Sequence, residues 1–261
     1  MTLRRAAMPH AGATPWADDL ALAIEAASRG ASVLRALRGD GALAGEALGR
    51  AGDKQANAAI VQLLRRERPA DGLLSEEQAP DAARLARRRV WIVDPLDGTR
   101  EYAEAGARVD WAVHVALCID GAPAAAVVAL PALGEMWTSA PARTVPALPP
   151  GRWRIAVSRT RAPAFALRVA DRLDAELVPM GSAGAKVAAV LRGEVHAYLH
   201  AGGMHEWDAC APVGVALAHG LHASRLDGSA CRFNQPEPST PDLLVCRREC
   251  AEKLLAAAGE R

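Results

Sequence analysis

The chain has 261 residues, 51% of them hydrophobic, with 31 basic against 30 acidic side chains, a net charge of +1 and a mean hydropathy of +0.02. It is long enough to bury a core without disulfide staples, which excludes a mini-protein, and too apolar to be largely disordered. The even charge argues against a broad surface for nucleic acid or another polyanion, so an anionic ligand has to be met locally.

Two compositional biases stand out. Fifty-nine residues are alanine, and all the basic residues are arginine except Lys54, Lys186 and Lys253. The opening MTLRRAAMPHAGATPWADDL is basic but lacks the apolar core of a signal peptide, and no run approaches membrane-spanning length. Cys118, Cys210, Cys231, Cys246 and Cys250 form no C-x-x-C pair and read as reduced, buried thiols. The expected setting is the cytoplasm, with no membrane partner.

Along the chain, Leu20, Ile24, Ala27, Leu34 and Leu37 recur at helical spacing and predict a helix over 18–38 behind an Asp cap. A second helix is predicted to begin at Asp53 and to stop before Pro69 and Gly72. The pattern then changes to short apolar or alternating runs, predicting strands over 73–76, 90–94, 110–119, 124–130 and 135–139, with a hairpin turning at Asp120-Gly121. PARTVPALPPG at 141–151 suits a connection between two units, giving an α+β unit over 1–148 and an α/β unit over 149–261. In the second unit strands are predicted over 153–158, 176–179, 195–200 and 242–246, alternating with helices over 163–173, 182–191 and 207–219 and followed by a last helix.

The segment WIVDPLDGTREY at 91–102 is the most informative. An apolar run ends at Asp94, Pro95 turns the chain, Asp97 follows three positions on, and Gly98 permits a tight backbone. Glu76 and Glu77 end the preceding strand-like run, Asp53 stands at a predicted helix start, and Asp208 opens a predicted helix behind Gly202 and Gly203. Acidic side chains at element ends, with no His or Cys among them, are what a hard cation such as Mg²⁺ selects.

Together, Asp53, Glu76 in SEE, DPLDGT at 94–99, GSAGAK at 181–186 and WDACAP at 207–212 resemble the inositol monophosphatase superfamily of Mg²⁺-dependent, Li⁺-sensitive phosphatases. LSEE and GTREY are similar to its 3′(2′),5′-bisphosphate nucleotidase branch. The resemblance implies a five-layer αβαβα sandwich and two or three Mg²⁺ ions. It matches Glu76, Asp94 and the Leu96 carbonyl to one ion, and Asp94, Asp97 and Asp208 to a second. Asp53 and Thr99 match the pair that positions and deprotonates the attacking water, although Ala51-Gly52 precede Asp53 where many relatives carry a Thr two residues before it. The implied reaction removes the 3′-phosphate of adenosine 3′,5′-bisphosphate, and of its 5′-phosphosulfate form, in sulfur assimilation. Inositol monophosphatase, fructose 1,6-bisphosphatase and a catalytically silent anion-binding regulator are the alternatives, and a homodimer stays open as the assembly.

On the substrate side, Gly98 and Thr99 offer backbone N–H groups, and the helix opening at Ser182 offers its N-terminus to phosphate. The resemblance places Lys186 near a phosphate that is not cleaved; Arg100 either touches ligand or braces the loop through Glu101. Glu76, Leu96, Asp97 and Asp208 complete the expected substrate contacts. His196, His200 and His205 lie on a predicted strand and loop with spacing unsuited to zinc, and the arginines of RLARRR at 84–89 read as a solvated helix end.

Overall fold

The computed structural model describes residues 16–104, 106, 108–140, 144–148, 151–160 and 164–259. Two helices, α1 (Ala17–Asp40) and α2 (Gly45–Glu67), precede strands β1 (Gly72–Ser75) and β2 (Arg89–Asp97), the short helix α3 (Thr99–Ala103), and β3 (Ala112–Ile119), β4 (Ala122–Leu130) and β5 (Glu135–Thr138). The second half runs β6 (Trp153–Ser158), α4 (Ala164–Leu173), β7 (Ala175–Met180), α5 (Ala183–Leu191), β8 (Ala197–His205), α6 (Glu206–Ala218), β9 (His222–Ser224), β10 (Ser239–Cys246) and α7 (Arg248–Gly259).

The first sheet has the order β1-β2-β3-β4-β5, with only the β1–β2 pair parallel. The second has the order β7-β6-β8-β10-β9, parallel among β7, β6 and β8 and antiparallel at β10. Helices α1 and α2 cover one face of the first sheet, α5 and α6 lie between the sheets, and α4 and α7 cover the far face of the second. This is the expected αβαβα sandwich.

Strand alternation decides which residues reach the middle layer. On β2 and β3, Trp91, Val93, Val113, Val115 and Leu117 pack under α1 and α2, whereas Val90, Ile92, Ala112, Ala116 and Cys118 face α5 and α6. Asp94 and His114 share the parity of that second set. The alanine bias has a local cause here. All nine residues of α5 (AGAKVAAVL) are buried, because a helix between two sheets has no solvent face and must be narrow all round. Gly214 in α6 belongs to the same fit, since a Cβ there would meet the Cβ of Ala126 at 2.7 Å.

Several local expectations are corrected. Helix α1 has Trp16 at its N-cap with no side-chain cap, so Asp18 serves in the first turn instead. Helix α2 begins at Gly45, which places Asp53 in its interior. Gly49 and Gly52 let the extended helix lie close against α3: added Cβ atoms would stand 2.8 Å from Thr99 Cγ2 and 2.9 Å from Tyr102 Cε1. Gly202 and Gly203 form no separate loop but continue β8 at positive φ, opposite a register shift between Thr240 and Asp242. The short elements α3 and β9 lie outside the predicted set. The hairpin between β3 and β4 turns at Asp120-Gly121, both at positive φ, as a two-residue turn of this composition requires. Of the proline-rich connection, residues 144–148 and 151 are described and carry no helix or strand; the remainder, and Pro163, fall outside the described residues.

Candidate active site

Strand β2 delivers Asp94, the end of β1 delivers Glu76, and the β2–α3 corner delivers Asp97, Gly98 and Thr99. The corner is tight: Gly98 has φ +91°, and a Cβ there would lie 3.1 Å from the Asp110 carbonyl oxygen. A register shift against β3 between Asp94 and Asp97 lets both carboxylates belong to one corner. The Asp94 carboxylate is buried and accepts the Leu96 N–H at 3.0 Å. Asp208 enters from the first turn of α6, where its Oδ2 accepts the His205 N–H at 3.1 Å.

These groups meet in a cleft of about 360 Å³ whose lining includes Glu76, Asp97, Thr99, Ser182, Lys186 and Asp208. Asp53 on α2 adjoins it through Thr99, whose hydroxyl is 3.3 Å from Asp53 Oδ1; the same hydroxyl lies 3.1 Å from the Leu96 carbonyl oxygen. Gly98 and the exposed Arg100 also line the cleft. Of the residues marked in the sequence, Glu76, Asp97, Gly98, Thr99, Arg100, Ser182, Lys186 and Asp208 line one concavity, while Asp53, Asp94 and Leu96 lie just behind its lining.

The electrostatics are those of crowded anions. Burial, and then the Glu77 charge, push Asp53 up to about 7. Burial and repulsion from Asp208 raise Glu76; burial and repulsion from Glu76 and Asp97 raise Asp94 far above the carboxylate range. Asp208 is raised by burial and by Asp97. Asp97 goes the other way: burial opposes its charge, but His114, Lys186 and the Ser182 hydroxyl bring it down to about 2. Carboxylates held this close with an excess of negative charge, together with the Leu96 carbonyl, are a hard oxygen set suited to a divalent cation. Asp94, Asp97 and His114 alone offer three ligand atoms within 4.8 Å of one another.

Three contributors escaped the sequence. His114 stands among the anions where the reading expected carboxylates alone; the only signal was its parity on an alternating strand. Arg159, just past the end of β6, binds Glu101 at 2.8 Å and also Glu104, so it is Arg159 that braces the α3 side of the cleft through Glu101 while Arg100 stays exposed. Asp110 accepts the Gly181 N–H at 2.7 Å and holds the turn before α5. That turn is strained: Ser182 sits at φ +41°, ψ 131° while its hydroxyl accepts the Ala185 N–H and donates to Asp97. Lys186, almost fully buried in α5, donates to the Gly181 carbonyl at 2.8 Å and lies 5.0 Å from the Tyr198 ring centroid. Burial lowers its pKa against the pull of Asp97 and Glu101. The other histidines have separate partners: His196 stacks on Trp153, His200 bonds the Gly203 carbonyl and His205 stacks on Trp207. The arginines of 84–89 are not simply solvated either. Arg84 is buried on Asn234 and the Gln235 carbonyl, and Arg89 pairs with Asp19 and Asp71.

The middle layer is tightest at Gly184. A methyl there would stand 2.3 Å from His114 Nε2 and 2.8 Å from Val128 Cγ1. Gly184→Ala is therefore expected to destabilise the fold by about 1–3 kcal/mol, seen by calorimetry as a loss of roughly 3–10 °C in unfolding temperature. An unchanged unfolding temperature would show that the layer has slack there.

The sequence profile of the inositol monophosphatase family matches residues 18–144 and 152–260. The chain belongs to this family. It is 53% identical over 221 residues to the 3′-phosphoadenosine 5′-phosphate phosphatase of Mycobacterium tuberculosis, covering 82% of each chain. It is 48% identical over 255 residues to the protein of that name from Mycobacterium leprae, covering 93% of this chain and 94% of the relative. The same fold is seen in CysQ from Bacteroides thetaiotaomicron, a bacterial member of the family, with a TM-score of 0.77 at 23% identity over 88% of this chain and 97% of that one. Among the described residues, no helix is long and apolar enough to cross a membrane.

Proposed function

We propose that this protein is a Mg²⁺-dependent phosphatase that removes the 3′-phosphate of adenosine 3′,5′-bisphosphate, with the 5′-phosphosulfate form as a second substrate. The chemistry rests on one observation: Glu76, Asp97, Thr99 and Asp208 line one cleft, with Asp94 buried beside Glu76 and Asp97 and with Asp53 in contact with Thr99. The choice of substrate rests on the two mycobacterial relatives at 48–53% identity.

Glu76, Asp94 and the Leu96 carbonyl would hold one ion, and Asp94, Asp97 and Asp208 a second. When bound, Mg²⁺ supplies positive charge against the phosphoryl oxygens and makes nearby water more acidic. The protein's own groups do the rest. The Thr99 hydroxyl donates towards Asp53 Oδ1, so its oxygen lone pairs are free to accept from a water, and Asp53 Oδ1 takes the proton that this water gives up. A carboxylate with a pKa of about 7 is matched to that role near neutrality. The water attacks phosphorus, the P–O bond to the 3′-oxygen breaks, and that oxygen leaves as the alcohol after taking a proton from solvent. No covalent enzyme intermediate is needed. Ser182 and Lys186 at the start of α5, Gly98 at the corner and the exposed Arg100 are the groups suited to the phosphates. A cytoplasmic setting, in keeping with five buried free cysteines, is part of the reading.

The test is a parallel measurement of initial rates on adenosine 3′,5′-bisphosphate, inositol 1-phosphate and fructose 1,6-bisphosphate with Mg²⁺. The nucleotide is expected to be preferred by tenfold or more. A tenfold preference for inositol phosphate would overturn the substrate, and no phosphate release from any of the three would favour a silent anion binder.

A further inference from the structure

His114 is completely buried on β3, and its ring lies between two of the groups that build the site. Nε2 is 3.2 Å from Asp97 Oδ2, and Nδ1 is 3.2 Å from the carbonyl oxygen of Trp207, the residue immediately before Asp208. Nδ1 also lies 3.9 Å from Asp94 Oδ2. Asp97 and Asp208 come from different halves of the chain, and no backbone hydrogen bond of one sheet joins them.

Asp97 Oδ2 is crowded with donors. The Ser182 hydroxyl donates to it at 2.6 Å and the Gly184 N–H at 2.9 Å, with His114 on a third side. These contacts leave Oδ1 as the oxygen available to an ion. A carboxylate with one oxygen tied down in this way cannot turn to chelate through both, and its free oxygen keeps one direction. Gly184 makes room for the arrangement, because a Cβ there would stand 2.3 Å from His114 Nε2.

We infer that His114 is a positioning residue for the second ion: it pins Asp97 through Oδ2 and ties it to the α6 N-terminus that carries Asp208, so that the two carboxylates face one point. The inference rests on the reading of the cleft as a Mg²⁺ site. Nδ1 is taken up by the Trp207 carbonyl, and Nε2 faces Asp97 Oδ2 as a close ionic contact without a completed hydrogen bond, so the imidazole acts on the ion's surroundings through Asp97.

The experiment compares His114→Gln with His114→Met, two unbranched side chains of similar length of which only glutamine can donate to Asp97. Mg²⁺ binding to the substrate-free protein is measured by titration calorimetry, and unfolding is measured in EDTA. The glutamine variant is expected to bind Mg²⁺ within about threefold of the unmodified protein, and the methionine variant about tenfold more weakly, within the 10–100-fold range for loss of a ligand's supporting hydrogen bond. The two should unfold within a few degrees of one another in EDTA, which separates positioning from general destabilisation. Equal Mg²⁺ affinity for the two variants would overturn the inference while leaving the reading of the cleft intact; an unmodified protein that takes up no Mg²⁺ would overturn both. If the methionine variant does not fold, His114→Asn replaces it. Asparagine reaches the Trp207 carbonyl but not Asp97, so the same tenfold loss is expected, and affinity equal to that of the glutamine variant again overturns the inference.

Discussion

Replacing Asp94 by asparagine is expected to abolish turnover and, in the same protein, to raise the unfolding temperature of the metal-free form. Under the proposed function Asp94 is the one carboxylate shared by both ions, and a single lost metal contact of this kind is worth several kcal/mol of transition-state stabilisation. At 1.36 kcal/mol per tenfold, a fall of about three orders of magnitude in kcat/KM follows. The stability change has the opposite sign. Asp94 is fully buried, and burial with the charges of Glu76 and Asp97 makes its ionised form costly without a cation. Above pH 4 the native state must either hold that proton against solvent or bear the charge, while the unfolded chain does neither. Asparagine removes this cost and keeps an oxygen for the Leu96 N–H. A gain of about 1 kcal/mol corresponds to roughly 3 °C in a chain of this size. Phosphate release and calorimetry in EDTA read the two effects. A variant that is both inactive and less stable than the parent would mean that Asp94 is chiefly a structural group.

The stabilisation conferred by Mg²⁺ is expected to grow steeply with pH. Asp53, Glu76, Asp94 and Asp208 all have folded pKa values above their unfolded ones. Such groups bind more protons in the native state, so in EDTA their contribution to stability is full below pH 4 and is lost as pH rises through 7 and beyond. His196 and His222, lowered by burial, act in the opposite direction, gaining stability for the fold as pH approaches 6.5. The difference between Mg²⁺ and EDTA at each pH cancels those histidines and isolates the cleft. At pH 5 the carboxylates hold protons that Mg²⁺ must displace, and the shift in unfolding temperature should be small. At pH 8 a hundredfold excess of Mg²⁺ over its Kd stabilises by about 2.7 kcal/mol, roughly 5–10 °C. Differential scanning calorimetry from pH 5 to 8 checks this. A Mg²⁺ shift that is the same at every pH would mean that the ion binds elsewhere.

The sequence by itself determined a good deal. Most strands were legible because period-two alternation and turn residues such as Asp120-Gly121 act over a few positions. The corner DPLDGT was legible because proline, glycine and two aspartates three apart constrain one short piece of backbone. The resemblance then linked this corner to Asp53, Glu76 and Asp208 across long stretches of chain. The tertiary structure alone decided how these groups act on one another. Asp53 was expected at a helix start and lies inside α2, which Gly49 and Gly52 let lie close against Thr99 and Tyr102, a contact made between separate elements. His114 carried no motif; its meaning depends on α5 and α6 meeting the face of β3 to which it points. The same holds for Arg159 on Glu101 and for the narrow, alanine-filled middle layer. Local patterns record backbone geometry, which neighbouring residues set. Charge, burial and the choice of which carboxylate oxygen stays free depend on side chains from distant segments sharing one small volume, and only packing brings those together.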